Sequence, residues 1–213
     1  MTGSPLHAIV DVDAASRAGW TPADLARAFL DGGATLVQLR AKPLSSGAFL
    51  ALCDAVVALA QPYGACIVVN DRADLARLSG ASGVHVGQDD LPPAAARRLL
   101  GDAAVIGFST HNAQQIDAAL REPISYLAVG PVFGTSTKNT GYSAVGLDLV
   151  RTAARMAEGI VPVVGIGGIT VENAASVVAA GARSVAVIGD LLVGGDPVRR
   201  TRAFLQRLAH NRV

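Results

Sequence analysis

Short apolar, β-branched runs alternate with Ala/Leu/Arg-rich helical stretches eight times along the chain, which predicts an α/β protein closed as a single (β/α)8 barrel. Two further features support closure. The 213 residues contain no linker, low-complexity run or shift of composition, so one domain spanning residues 1–213 is expected. No GxGxxG opens the first helix, which disfavours a doubly wound open sheet. The expected architecture is therefore the TIM barrel, with parallel strands and right-handed crossovers.

Strands are expected near Leu6–Val10, Thr35–Leu39, Ala65–Val69, Gly83–Val86, Ala104–Gly107, Tyr126–Val129, Val161–Gly165 and Ser184–Ile188. Helical spacing lies between them, as at Leu25–Leu30, Phe49–Ala60, Ala94–Leu100 and Ala174–Ala180. Thr21-Pro22-Ala23-Asp24 combines a capping hydroxyl, a proline at the first helical position and an acidic third residue. Asp90 ahead of Pro92-Pro93, and Thr170 ahead of Glu172, read as similar helix starts. Gly32-Gly33, Gly80 and Gly181 end helices where a left-handed residue is useful.

The composition is apolar (51% hydrophobic) yet only 4% aromatic, so small aliphatic side chains must fill the interior. A formal net charge of +1 offers no electrostatic footprint for nucleic acid or an anionic membrane. Arg199, Arg200, Arg202, Arg207 and Arg212 read as the solvated face of a late helix. Cys53 and Cys66 are too few for a disulfide framework and lack metal-ligand spacing; buried free thiols in a reducing compartment are expected. No signal peptide is recognised, and no run approaches the roughly 18 uninterrupted apolar residues of a membrane helix. A cytoplasmic location is the default, and a homo-oligomer remains open.

Polar residues that follow barrel strands converge on one mouth, where such folds build their active sites. Strand two runs through Gln38, Arg40 and Lys42, which alternation places on one side. Two cations are poor core filling, so an anionic ligand is expected there, the alternative being a salt-bridge layer inside the barrel. Strand three leads into Asn70-Asp71 and strand four into Gly87-Gln88-Asp89-Asp90. Either could be an ordinary helix cap. Together Asp71 and Asp90 place two carboxylates beside a cationic group, which suits Mg2+ completed by substrate phosphate and water. Strand five offers the Ser109 hydroxyl; His111 reads as part of a helix start and His85 as a hydrogen-bonded core histidine.

The other side of the mouth is rich in glycine. The irregular stretch from Gly130 to Tyr142 carries Thr135, Ser136, Thr137 and Lys138 and reads as a phosphate clamp and lid, the alternative being an ordinary surface loop. Gly165-Ile166-Gly167-Gly168 after strand seven and Ile188-Gly189-Asp190 after strand eight let backbone N–H groups approach an anion, the recurring phosphate site of these barrels.

Taken in order, QLRAK, NDRADLA, GVHVGQDDLP, GFSTH, GPVFGTSTK and GIGGIT…SVAVIG resemble the thiamine-phosphate synthase (thiamine-phosphate pyrophosphorylase) family from Leu6 to Asp190. The resemblance implies a Mg2+-dependent transferase that joins a pyrimidine methyl diphosphate (HMP-PP) to the ring nitrogen of hydroxyethylthiazole phosphate and releases diphosphate. It implies that Gln38, Arg40 and Lys42 bind the diphosphate end of HMP-PP, with Asn70 and Ser109 also contacting that substrate. Asp71 and Asp90 would hold Mg2+. Thr135, Ser136, Thr137, Gly168, Ile188 and Gly189 would hold the thiazole phosphate, and Lys138 would reach the diphosphate. Arg40, Lys42, Ser109 and Lys138 form the implied catalytic set. Gly189 stands where family members often carry serine, and Asp11 and Asp13 receive no role.

The resemblance also implies a dissociative, carbocation-like reaction of the pyrimidine, with which the lack of a convincing nucleophile–base pair agrees. Asp90 and Lys138 argue against a related thiazole tautomerase, and the paired aspartates beside QLRAK against a sugar-phosphate isomerase. A non-catalytic, ligand-binding regulator on the same barrel is the remaining alternative.

Overall fold

The structure is a computed structural model that describes residues 3–134 and 143–209. Eight parallel strands follow one another round a closed barrel: β1 (Leu6–Asp11), β2 (Leu36–Arg40), β3 (Cys66–Asn70), β4 (Gly83–Val86), β5 (Val105–Thr110), β6 (Tyr126–Val129), β7 (Val163–Ile166) and β8 (Ser184–Val187). β8 closes on β1 through the partners Leu6 and Val185. Outside them lie α1 (Val12–Arg17), α2 (Pro22–Asp31), α3 (Ser46–Ala60), α4 (Ala73–Ser79), α5 (Pro93–Leu100), α6 (Ala113–Ala119), α7 (Gly146–Met156), α8 (Ala174–Ala179) and α9 (Pro197–Ala209).

Strand alternation sorts the core into two compartments. Ala8, Val10, Val37, Leu39, Ile67, Val69, Val84, Leu127 and Val185 point outward and pack with Leu25, Phe29, Phe49, Val150 and Phe204 from the helices. A smaller cluster of Ile9, Tyr126, Ala128, Val164 and Ala186 fills the barrel itself. Tyr126 is the one aromatic of that inner cluster, which fits the aliphatic composition.

Local chemistry explains most element ends. Thr21 caps α2 by accepting from the Asp24 amide at 3.1 Å, as its sequence implies. Gly80 closes α4 in the left-handed conformation (φ 68°). Ser46–Tyr63 has the length and mean hydropathy (1.3) of a membrane span, but Phe49, Cys53, Val56 and Ala60 of this stretch belong to the core between helices and barrel. Burial leaves Cys53 a free thiol whose pKa is pushed up to about 12, and Cys66 is a second, half-buried free thiol.

Two expected helix starts are corrected. α5 begins after Pro92 with no side-chain cap, because the Asp90 carboxylate is used elsewhere. Thr170 and Asn173 bond each other's amides, at 3.3 and 2.8 Å, and α8 starts only after Asn173.

Candidate active site

Asp11 and Arg40 are register partners at the C-terminal ends of β1 and β2. The Arg40 guanidinium donates through Nη1 to Asp11 Oδ2, while Asp11 Oδ1 accepts from the Ala14 amide at 2.9 Å and caps α1. Arg40 Nε is buried and, among the described residues, has no hydrogen-bond partner. β2 ends at Arg40, so the strand alternation that links Gln38 to Arg40 does not extend to Lys42. Lys42 is 57% exposed, with Nζ 3.2 Å from Asp71 Oδ2. The expectation that alternation sets Lys42 on one side with Gln38 and Arg40 is therefore corrected; Arg40 pairs with Asp11, as in the salt-bridge alternative, and Lys42 is solvated beside Asp71. Gln38 lies deeper, 4% exposed, with its side chain against the Tyr126 hydroxyl.

Asn70 ends β3 buried, and Asp71 follows in the left-handed conformation (φ 65°). For a residue with a Cβ that conformation costs about 1–2 kcal/mol, least for Asp and Asn. It is held by the Asp71 amide donating to the His85 carbonyl at 2.8 Å. Asp71 is not a helix cap, since Arg72 occupies that position without a side-chain bond. Its carboxylate instead faces Lys42 and Asp90. Asp90 is anchored by the Gly87 amide, which donates to Oδ2 at 2.8 Å. Burial, then the Asp90 carboxyl, push the Asp71 carboxyl above its ordinary range, and Lys42 pulls it back.

Two carboxylates in contact favour a bound cation over mutual repulsion. Among the described residues, no three His, Cys, Asp or Glu side chains cluster as a metal site. A cation here would complete its shell from water and substrate oxygens. That donor set, two hard oxygen ligands beside an open mouth, fits Mg2+.

On β5, Ser109 Oγ lies 2.8 Å from His85 Nε2, and His85 Nδ1 lies 2.9 Å from the Tyr126 hydroxyl. His85 is thus the hydrogen-bonded interior histidine its strand position implies, and it also reaches a mouth residue. Gln88 crosses from the β4–α5 loop and donates to the Ser109 carbonyl at 2.6 Å.

Between the ends of β5 and β8 lies a pocket of about 310 Å³, lined by Ser109, His111, Gly168, Ile188, Gly189 and Asp190 among others. Gly167 and Gly168 have φ of 95° and 65°. A Cβ on Gly168 would sit 2.6 Å from the Gly134 carbonyl oxygen, so this wall is made of bare backbone. His111 packs beside it, its Nδ1 2.5 Å from the Gly130 carbonyl oxygen. Asp190 Oδ2 accepts from the Val171 amide at 3.1 Å and from Arg200 Nη2 at 2.7 Å. Arg200 also approaches Glu172 at 3.5 Å. Its reading as one of the solvated arginines is therefore corrected: from α9 it ties the β7–α8 loop to the end of β8.

A family model described as thiamine monophosphate synthase matches residues 6–191. The chain belongs to the thiamine monophosphate synthase family. A thiamine-phosphate synthase from Koribacter versatilis is 44% identical over 205 residues, covering 95% of each chain. One from Thermus thermophilus is 45% identical over 195 residues, covering 90% of this chain and 93% of the relative. The solved thiamine phosphate pyrophosphorylase of Pyrococcus furiosus superposes with a TM-score of 0.88 at 26% identity, over 99% of this chain and 98% of that one. The activity is accordingly that of a thiamine-phosphate synthase, a transferase of thiamine biosynthesis.

In this family member the residues expected at the site fall into two groups. Arg40, Lys42, Asn70, Asp71, Asp90 and Ser109 gather over β2 to β5, with Gln38 beneath them. Gly168, Ile188 and Gly189 line the pocket toward β7 and β8. Thr135, Ser136, Thr137 and Lys138 lie outside the described residues. Sequence reading missed Asp11, Tyr126 and the Asp190–Arg200 pair. The Gly inside the fifth strand was a signal for a close approach such as Tyr126 makes; Asp11 carried no local signal.

Proposed function

We propose that this transferase condenses HMP-PP with hydroxyethylthiazole phosphate to give thiamine phosphate and diphosphate, with Mg2+ as the required cation. The observation that carries this reading is the division of the mouth into a side bearing Arg40, Lys42 and the Asp71–Asp90 carboxylate pair, and a side walled by the bare backbone of Gly167-Gly168. The first suits a diphosphate and its cation, the second a phosphate monoester.

In this reading Asp71 and Asp90 hold Mg2+, which supplies neutralisation of the charge gathering on the departing diphosphate. Arg40 and Lys42 bind the same oxygens, joined by Lys138, and stabilise them most when the C–O bond is longest. The unmatched Nε of Arg40 supports a ligand oxygen completing its donors. Gln38, Asn70 and Ser109 face the pyrimidine half, Gln38 lying too deep for the diphosphate. Backbone at Gly168, Ile188 and Gly189, with the hydroxyls of Thr135, Ser136 and Thr137, orients the thiazole phosphate. The pyrimidine methylene carbon loses its bond to diphosphate oxygen, passes through a carbocation-like state and bonds to the thiazole nitrogen. No protein nucleophile takes part.

The test is to incubate the protein with HMP-PP, hydroxyethylthiazole phosphate and Mg2+ and to assay thiamine phosphate and diphosphate together. Equal amounts of both products are expected, with none after chelation. Absence of thiamine phosphate with either Mg2+ or Mn2+ overturns the reading.

A further inference from the structure

β4 and β6 do not pair with each other, because β5 runs between them, yet side chains from both meet. His85 and Tyr126 are each the register partner of Gly107, one from either side. A Cβ at position 107 would lie 2.1 Å from Tyr126 Cζ, 2.3 Å from its hydroxyl oxygen and 2.5 Å from His85 Nδ1. The glycine is therefore an aperture, and through it the phenol reaches the imidazole at 2.9 Å. The opposite edge of the imidazole meets Ser109 Oγ at 2.8 Å, Ser109 being the next residue of β5 on that face. The rings of His85 and Tyr126 lie within 19° of parallel, and His7 packs edge-on against Tyr126 at 5.0 Å between centroids. Both ring side chains are almost fully buried.

We propose that His85 and Tyr126 are positioning residues that fix the order of protons along this line, so that the Ser109 hydroxyl is a hydrogen-bond donor to the pyrimidine half of HMP-PP. The inference rests on the proposed reading of Ser109 as facing that substrate. Burial holds the Tyr126 hydroxyl far above its ordinary pKa, so it always carries a proton. The Gln38 amide lies against the phenol and has N–H groups to donate. When Gln38 donates to the phenol oxygen, the phenol proton turns to His85 Nδ1. That makes Nδ1 the acceptor and leaves the imidazole proton on Nε2. Nε2–H then donates to Ser109 Oγ, and the serine's own proton points away from the histidine into the mouth.

The reverse order would spend the serine proton on Nε2 and present only lone pairs to the substrate. Pyrimidine ring nitrogens are acceptors, so they would then meet an acceptor. No proton is transferred in this scheme; the line sets a direction and keeps it.

The decisive measurement is a long-range 1H–15N correlation spectrum of protein labelled at histidine, which reports the ring nitrogen that bears the proton. For His85 the Nε2–H tautomer is expected near neutral pH, and its loss or mixing in Tyr126→Phe, which keeps the ring and removes the hydroxyl. An Nδ1–H tautomer in the unsubstituted protein overturns the proposal. The second arm measures HMP-PP binding by calorimetry, with Mg2+ present. Tyr126→Phe and Ser109→Ala should each weaken binding by about 10-fold, and the double variant by no more than Ser109→Ala alone. Independent, multiplying losses would assign Tyr126 a merely structural role and overturn the proposal. Neither arm needs turnover, so failure of the condensation assay overturns the proposed reaction without being mistaken for failure of this one.

Discussion

The Asp11 carboxylate serves two masters at once: one oxygen holds the Arg40 guanidinium and the other caps α1 through the Ala14 amide. Arg40 thus enters the mouth with its charge already matched and its Nη1 fixed. Replacing Asp11 by Asn keeps the cap and removes the charge. Arg40 is only 13% exposed, so Asp11→Asn should cost about 2 kcal/mol in urea unfolding, less than a fully buried pair would. It should also raise KM for HMP-PP about 10-fold while KM for the thiazole phosphate stays within error. An equal rise in both KM values would show that Asp11 supports the mouth as a whole.

Asp71 combines an unfavourable backbone with an unfavourable neighbour. Its φ of 65° and its contact with Asp90 both weigh against the folded state before any cation binds. Asp71→Asn tolerates the backbone and removes the repulsion. Without divalent metal, the variant should unfold at the same or a higher urea concentration than the parent. Its turnover with Mg2+ should fall by at least about 100-fold, the usual trade between site chemistry and stability. A fast, Mg2+-responsive Asp71→Asn enzyme would refute the ligand role.

Gly168 tests the opposite side of the mouth. Alanine there would be strained at φ 65° and would press on the Gly134 carbonyl at 2.6 Å and on Phe133 Cβ at 2.7 Å. A stability loss of about 1–3 kcal/mol is expected. Steady-state kinetics should show a raised KM for hydroxyethylthiazole phosphate with little change for HMP-PP. The reverse pattern would exchange the two sides of the mouth.

His7 supplies a pH signature. Burial lowers its pKa from 6.5 to about 4. A folded-state pKa below the unfolded value means stability that is complete above pH 6.5 and lost as the pH falls toward 4. The loss amounts to about 3 kcal/mol. Urea unfolding at pH 7.5 and 4.5 should therefore show a smaller difference in His7→Gln than in the parent. An unchanged difference would mean that His7 does not stay neutral in the folded protein.

The sequence was most legible where a residue's neighbours along the chain decide its state. Gly83–Val86 and Tyr126–Val129 are the observed strands to the residue, because each is a short apolar run bounded by breakers. β5 extends to Thr110, beyond the expected end at Gly107, because Ser109 and Thr110 are polar yet satisfied inside the fold by His85 and the Ala128 carbonyl. α1 escaped notice because it has six residues and follows β1 with no intervening loop. Asp11, Tyr126 and Arg200 acquire their roles from partners 29, 41 and 10 residues away. Those pairings depend on register and closure, which local periodicity does not encode.

Barrel closure itself has a consequence for how the chain is made. β1 finds its second neighbour only in β8, where Ser184 Oγ meets His7 Nε2 at 3.2 Å across 177 residues of sequence. During synthesis the first strand must wait on the order of ten seconds or more for that partner to emerge. Throughout that interval the nascent sheet has two open edges, and its apolar face is only part-covered. The protein should therefore depend on chaperones early in its life and be protected once β8 docks, its exposure to aggregation being set by translation speed.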